Sequence, residues 1–193
     1  MRKILIIVDP QNDFIDGTLA VPGALKAMYN FYEYAKKNGL DQFDEILVTI
    51  DNHPINHCSF IVEGGIFPIH CVAHTVGAAI HPLVEKTLFE FGKNVSFFTK
   101  GEVADKEEFS IFRSELNGDK LLAKAGLDHD QDSTEIYVMG IAGDYCVHDT
   151  ILDLLMKGYG QINVLTDFIA SLDEGVKLKQ LITDNAPALS TLD

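Results

Sequence analysis

Three apolar, strand-like runs of this chain each end on a reactive side chain. Ile4-Leu5-Ile6-Ile7-Val8 leads into Asp9, Ile46-Leu47-Val48-Thr49-Ile50 into Asp51, and Val95-Ser96-Phe97-Phe98-Thr99 into Lys100. A fourth run, Ile136-Tyr137-Val138-Met139, passes through a Gly-rich turn into Cys146. A thiol can attack a carbonyl carbon, a carboxyl can pass the thiol's proton to a departing amine, and an ammonium can steady the charged partners. Cys146 opens a helical pattern, where the dipole and free N–H groups lower a thiol pKa toward the reactive thiolate. Singly, each residue has an ordinary alternative: a small buried hydrophobe for Cys146, a cap or turn for Asp9, a solvated strand end for Lys100. Their coincidence at strand ends points to an enzyme.

A second constellation follows Asp51. Asp51-Asn52-His53, with His57 or His70 downstream, offers a carboxylate oxygen and imidazoles of the kind that hold a divalent transition metal. Residues 52–82 form the longest weakly patterned stretch and contain five of the seven histidines. A loop of that length inside a compact domain is usually functional. His74, His81, His129 and His148 read as structural or solvent-facing.

An open parallel sheet would bring these side chains together, because its strand carboxyl ends share one edge. Continuous apolar strands separated by helix-length segments indicate βαβ units, hence an α/β three-layer sandwich with a mostly parallel sheet of five to six strands and helices on both faces. Residues 24–37 predict a first helix, stopped by Asn38-Gly39. Residues 118–125 predict another, with Gly126 near its end. Val147, Ile151, Leu154 and Leu155 recur at helical spacing after Cys146, with Asp144 as N-cap and Gly158 as stop. Residues 162–165 supply a fifth strand and 173–183 a final helix, whose first turn Gly175 weakens. Residues 186–193 leave little room for a sixth strand.

The composition narrows the function. At 193 residues the chain is one domain, able to bury roughly 70% of its unfolded surface. The apolar run after Met1-Arg2-Lys3 is too short for a secretory core or a membrane span, so the expected compartment is the cytoplasm. Cys58, Cys71 and Cys146 show no Cys-x-x-Cys spacing and read as free thiols. A formal charge of −14 argues against nucleic acid and against an anionic membrane, and favours a neutral or cationic small molecule. Part of that charge lies in surface-like stretches at 102–108 and 128–132. No Gly-x-Gly-x-x-Gly follows the first strand, which removes a dinucleotide site.

In this order the residues resemble the nicotinamidase/pyrazinamidase branch of the isochorismatase-like cysteine hydrolases. The matching segments are Val8-Asp9-Pro10-Gln11-Asn12-Asp13-Phe14, Asp51-Asn52-His53-Pro54-Ile55-Asn56-His57-Cys58-Ser59-Phe60, Phe67-Pro68-Ile69-His70-Cys71 and Thr75-Val76-Gly77-Ala78. They continue through Lys100-Gly101, Phe109-Ser110-Ile111-Phe112 and Gly140 to Val147, so the similarity runs over residues 4–167.

The resemblance implies a catalytic triad of Asp9, Lys100 and Cys146, with Cys146 as nucleophile on a carboxamide carbon. It implies a cis Ile141-Ala142 peptide that aims the Ala142 and Cys146 N–H groups at an oxyanion. It implies one divalent metal ion on Asp51, His53 and His70, with zinc first and iron or manganese as alternatives, and with His57, Ser59 or Glu63 open as a fourth ligand. Phe14, Phe67 and Tyr145 would wall a flat ring, with Phe109 at the mouth. Many relatives carry Trp where Phe67 stands and Tyr where Phe109 stands, a difference that bears on substrate size. The implied reaction is nicotinamide and water to nicotinate and ammonia in pyridine-nucleotide salvage, with pyrazinamide as a further substrate. Other C–N hydrolases of the superfamily, acting on N-carbamoyl or ureido amides, generally lack the Asp-x-His plus His set. A catalytically idle metal- or partner-binding domain would have no use for the triad. Relatives are often oligomers, which leaves a homo-oligomer open.

Overall fold

The apolar runs become the strands of one sheet. In the computed structural model, which describes residues 1–127 and 133–192, the strands are β1 (Arg2–Val8), β2 (Glu45–Asp51), β3 (Val95–Lys100), β4 (Thr134–Ile141), β5 (Ile162–Ala170) and β6 (Leu189–Leu192). Their order is β3-β2-β1-β4-β5-β6, and every pairing is parallel. His129 and the acidic stretch 128–132 lie outside the described residues.

Strand β1 has no polar face because both its faces are covered. Side chains alternate across a strand, so Leu5 and Ile7 enter one core while Ile4, Ile6 and Val8 enter the other. The first core is closed by α2 (Ala24–Asn38), through Ala24, Ala27, Met28 and Phe31, and by α3 (Pro82–Phe91), through Val84 and Leu88. The second is closed by α4 (Gly118–Ala125), α5 (Cys146–Met156) and α6 (Val176–Asp184), through Leu121, Ile151, Leu154 and Leu178 among others. A short helix, α1 (Asn12–Ile15), follows β1. Ile6 and Ile151 are inaccessible to solvent, and truncating either to Ala costs about 2–5 kcal/mol.

Several helices differ from expectation, while the sheet takes the upper of the expected five to six strands. Helix α3 has no counterpart among the predicted helices: exposed Phe89 breaks the apolar stripe, while Pro82 in the first turn and the His81 ring, which accepts a hydrogen bond from Leu83 N at 3.2 Å, define its start. A sixth strand exists, four residues long. Helix α6 starts at Val176 because Gly175 takes a left-handed φ of 81°, and the Asp173 carboxylate accepts from Gly175 N and Lys177 N at 2.9 and 2.8 Å. Asp144 does not cap α5. Its Oδ1 accepts from Leu172 N at 3.0 Å, tying the loop after β4 to the loop after β5, and the cap position falls to Tyr145, which makes no side-chain capping bond.

The chain winds outward from β1 to β2 and β3, then returns to build β4, β5 and β6 on the other side. The switch point therefore lies between β1 and β4, the place where an open α/β sheet forms a crevice. At that point the β4–β5 register shifts between Val138 and Gly140. Gly140 has φ 123°, and a Cβ there would lie 2.1 Å from Val8 O. Only glycine lets β4 pass β1 this closely on its way to Cys146.

Candidate active site

Asp9, Lys100 and Cys146 converge at this crevice. Lys100 Nζ lies 2.9 Å from Asp9 Oδ2, 2.5 Å from Asp51 Oδ1 and 3.6 Å from Cys146 Sγ. All four side chains are buried. Asp9 turns off the end of β1 with φ 47°, a left-handed conformation uncommon outside glycine. Its N–H donates to Thr49 O at 3.1 Å, and the Thr49 hydroxyl donates to Asp9 Oδ1 at 2.7 Å. Oδ2 is left facing the ammonium and the thiol.

Burial dominates the electrostatics. It pushes the Cys146 thiol well up, outweighing the pull of Lys100, with Asp9 and Asp51 adding to the rise. This direction is opposite to the lowering expected from the helix N-terminus, because solvent exclusion and two nearby carboxylates disfavour the thiolate. Burial also raises Asp9, against Lys100 and together with Asp51, which makes its carboxylate a stronger base. Burial would strip Lys100 of its proton, but Asp51 and Asp9 carry its pKa well above the usual lysine range.

The Ile141–Ala142 peptide is cis. Ala142 O accepts from Tyr145 N and Val147 N, at 3.1 and 3.0 Å. Among the described residues, neither the Ala142 nor the Cys146 N–H is spent on a backbone carbonyl.

Asp51, His53 and His70 meet beside this trio, with donor atoms all within 4.8 Å of one another. His53 Nδ1 donates to Gly101 O at 2.9 Å and His70 Nδ1 to Pro68 O at 2.8 Å, so each ring presents Nε2 toward Asp51. A carbonyl that holds one ring nitrogen fixes both tautomer and orientation, the usual support behind a metal-binding imidazole. Burial lowers the His70 pKa and favours its neutral form, while for His53 the attraction of Asp51 overcomes burial. Gly101, at φ 69°, is what lets the His53 ring reach that carbonyl: a Cβ there would lie 2.5 Å from the imidazole. The three side chains fit a divalent ion by their chemistry and by the way their outer nitrogens are held.

None of the three candidates for a fourth ligand joins this cluster. His57 spends both ring nitrogens, Nδ1 on Ser59 Oγ at 2.8 Å and Nε2 on Lys106 O at 3.0 Å. It stacks on His53 with centroids 4.0 Å apart, and burial next to that ring lowers its pKa to about 4. Ser59 is engaged with His57, and Glu63 is exposed. His74 is exposed, His81 caps α3, and His148 pairs with Asp149.

Two supports were not singled out from the sequence, although both lie in the Asp9-to-Phe14 motif. Gln11 is fully buried and grips the main chain of Asp51 from both sides, accepting from its N–H at 2.8 Å and donating to its C=O at 2.7 Å. Asp13 accepts from Cys71 N at 2.7 Å and so anchors the loop that carries His70.

Phe14, Phe67, Phe109 and Tyr145 line a narrow pocket over Cys146, together with Ala142, Asp51 and His70. Phe67, Phe109 and Tyr145 pack mutually, with centroids 5.2–6.3 Å apart. Leu19, Val21, Leu172 and Glu107 complete the lining, and none of these four was foreseen. Glu107 and Phe109 belong to a strap, residues 101–109, which is pinned to the histidine loop by Cys58 N donating to Ala104 O at 2.7 Å and by the His57 bond to Lys106 O. Burial and the neighbouring Asp51 raise the Glu107 pKa.

A thiol under a base and an ammonium, two free N–H donors beside it and an aromatic slot above it make up the apparatus of acyl transfer. On a doubly wound parallel sheet, this arrangement is that of a hydrolase. The chain belongs to the isochorismatase domain family, whose model matches residues 3–183. It is 33% identical over 187 residues to the nicotinamidase of Escherichia coli K12, covering 86% of this chain and 81% of that protein. Among solved structures it is similar to the pyrazinamidase of Pyrococcus horikoshii in complex with zinc, with a TM-score of 0.79 at 28% identity over 100% of this chain and 99% of that one. It is also similar to PnC1 of L. infantum in complex with nicotinate, with a TM-score of 0.80 at 29% identity over 98% and 92% of the two chains.

Proposed function

We propose that this protein is a nicotinamidase, a cysteine amidohydrolase that converts nicotinamide and water to nicotinate and ammonia and also accepts pyrazinamide. One observation carries the reading: Lys100 Nζ lies 3.6 Å from Cys146 Sγ and 2.9 Å from Asp9 Oδ2, beneath an aromatic slot that also opens onto Asp51 and His70. The E. coli nicotinamidase and the nicotinate-bound PnC1 structure support the choice of amide.

Asp9 takes the thiol proton as Sγ attacks the carboxamide carbon, and the C–S bond forms as the carbonyl π bond opens. The Ala142 and Cys146 N–H groups hold the oxygen that becomes negative. Asp9 returns the proton to nitrogen, the C–N bond breaks, ammonia leaves and a thioester remains. Water then attacks the thioester carbon while Asp9 accepts its proton. The C–S bond breaks, Asp9 returns that proton to sulfur, and the acid departs as nicotinate, its carboxyl proton passing to solvent or to the released ammonia. Lys100 stays protonated and balances the negative charge that moves between Asp9 and sulfur.

Asp51, His53 and His70 would hold one divalent ion, zinc by preference and otherwise iron or manganese. Bound there, it would supply a Lewis acid for the ring nitrogen of the substrate. The enzyme would work in the cytoplasm, in pyridine-nucleotide salvage. Ammonia release from nicotinamide tests the reading, measured for the unmodified protein, the Cys146→Ala variant and a chelator-treated sample. Loss in both treated samples is the expected result. No release from metal-replete, unmodified protein would overturn the assignment.

A further inference from the structure

The mechanism leaves one charged pocket residue without a task. Glu107 lines the slot together with Phe109, Asp51 and His70, is only partly exposed, and forms no hydrogen bond or ion pair with another side chain among the described residues. Its neighbour Glu108 is used differently: Oε2 accepts from Gly101 N at 3.1 Å and Oε1 pairs with Lys106 at 3.0 Å. These bonds, with Cys58 N to Ala104 O, fix the strap so that Glu108 turns into the protein and Glu107 faces the slot.

The reaction turns a neutral amide into an anion in a slot lined by Cys146, with the buried Lys100 ammonium 3.6 Å behind its sulfur. A cation held by Asp51, His53 and His70 would attract a carboxylate product more than a neutral amide. We propose that Glu107 is a specificity-determining residue that weakens binding of the carboxylate product relative to the neutral amide. This rests on the amidohydrolase reading above. A like charge facing a partly buried site discriminates through repulsion, with little effect on a neutral ligand of the same shape. A unit charge several ångströms away at an intermediate dielectric is worth roughly tenfold in affinity.

The test measures equilibrium binding of two amide–acid pairs, nicotinamide with nicotinate and benzamide with benzoate, to metal-replete Cys146→Ala protein, which cannot turn them over. Glu107→Gln is then added to this background, with Glu33→Gln on the exposed face of α2 as a control for net charge. The expected result is that Glu107→Gln raises acid-over-amide preference roughly tenfold in any pair that binds, while Glu33→Gln leaves it unchanged. Glu107→Asp, which keeps the charge, should retain most of the wild-type preference and thereby separates charge from packing. An unchanged preference in Glu107→Gln, an equal change in Glu33→Gln, or no binding by either pair would overturn the proposal. Failure of the substrate reading shows itself separately, as absence of ammonia release from nicotinamide by the unmodified enzyme.

Discussion

Lys100 and Asp51 stand opposite each other in the register of β3 and β2, and their side chains meet at 2.5 Å. One carboxylate thereby belongs both to the trio around sulfur and to the candidate metal ligands. The ammonium also separates Asp51 from Asp9, which would otherwise share a dry pocket as two like charges.

Replacing Lys100 by Met should consequently unsettle the fold as well as the chemistry. Breaking a buried pair by removing one partner costs about 3–5 kcal/mol, because the remaining charge stays desolvated. Thermal and denaturant unfolding of the metal-free protein should show that loss. A melting temperature within a degree or so of wild type would mean that the two carboxylates do not depend on the ammonium.

Gly101→Ala should lower metal affinity before it lowers anything else. The added carbon meets the His53 ring at 2.5 Å on a backbone with positive φ, so the imidazole must leave the Gly101 carbonyl. Loss of such an outer-shell bond typically weakens metal binding 10–100-fold. Competition with a calibrated chelator measures it directly, and His74→Ala, on an exposed ring of the same loop, should behave as wild type.

Gln11→Ala removes both bonds to the Asp51 main chain without touching a reacting atom. Buried N–H and C=O groups left without partners cost about 1–3 kcal/mol each, so a drop in stability of about 2–6 kcal/mol is expected for the two. Weaker metal binding should accompany it, since Asp51 then loses its fixed position. Intact stability together with intact metal affinity would show that the clamp is dispensable.

Acid should loosen α5 through Asp149. Burial opposes its ionisation, but the His148 bond and the Arg113 pair hold its pKa below the usual carboxylate value. A depressed carboxyl contributes stability that is present above its unfolded pKa, near 4, and is lost as pH falls through the lower folded value. The melting temperature gap between wild type and Asp149→Asn should thus be open at pH 6 and narrow on going below about pH 4. Asp149 is buried, but its partner Arg113 is partly exposed, so the contribution is modest, about 1 kcal/mol or less.

The reactive residues were legible because a parallel strand buried on both faces reads as an unbroken apolar run, and its polar stop marks the sheet edge. Asp9 and Asp51 stand at such stops, Lys100 ends the half-exposed edge strand β3, and Cys146 follows the turn after a fourth strand. Glu107 was not legible: it sits in a charged stretch that looks like solvated surface, and only the strap's hydrogen bonds turn it inward. Leu172 enters the slot through the Asp144 bond, a contact between loops 28 positions apart. Helix α3 was hidden because Phe89 is 89% exposed, so hydrophobicity there does not report burial. The rise of the Cys146 pKa was missed for a different reason. A helix N-terminus is visible in a sequence, whereas the degree of solvent exclusion around it is a property of the assembled site.

The central place of β1 bears on how the protein is made. The first strand of this sheet to be synthesised is also its most apolar, and one of its two neighbours, β4, is encoded some 130 residues later. At about 5–20 residues per second, translation leaves that flank of β1 unpaired for roughly 7–26 s. Until then Asp9 lies far from Cys146, and the nascent chain displays a sticky strand edge. During synthesis this molecule should therefore depend on chaperones far more than the finished enzyme does.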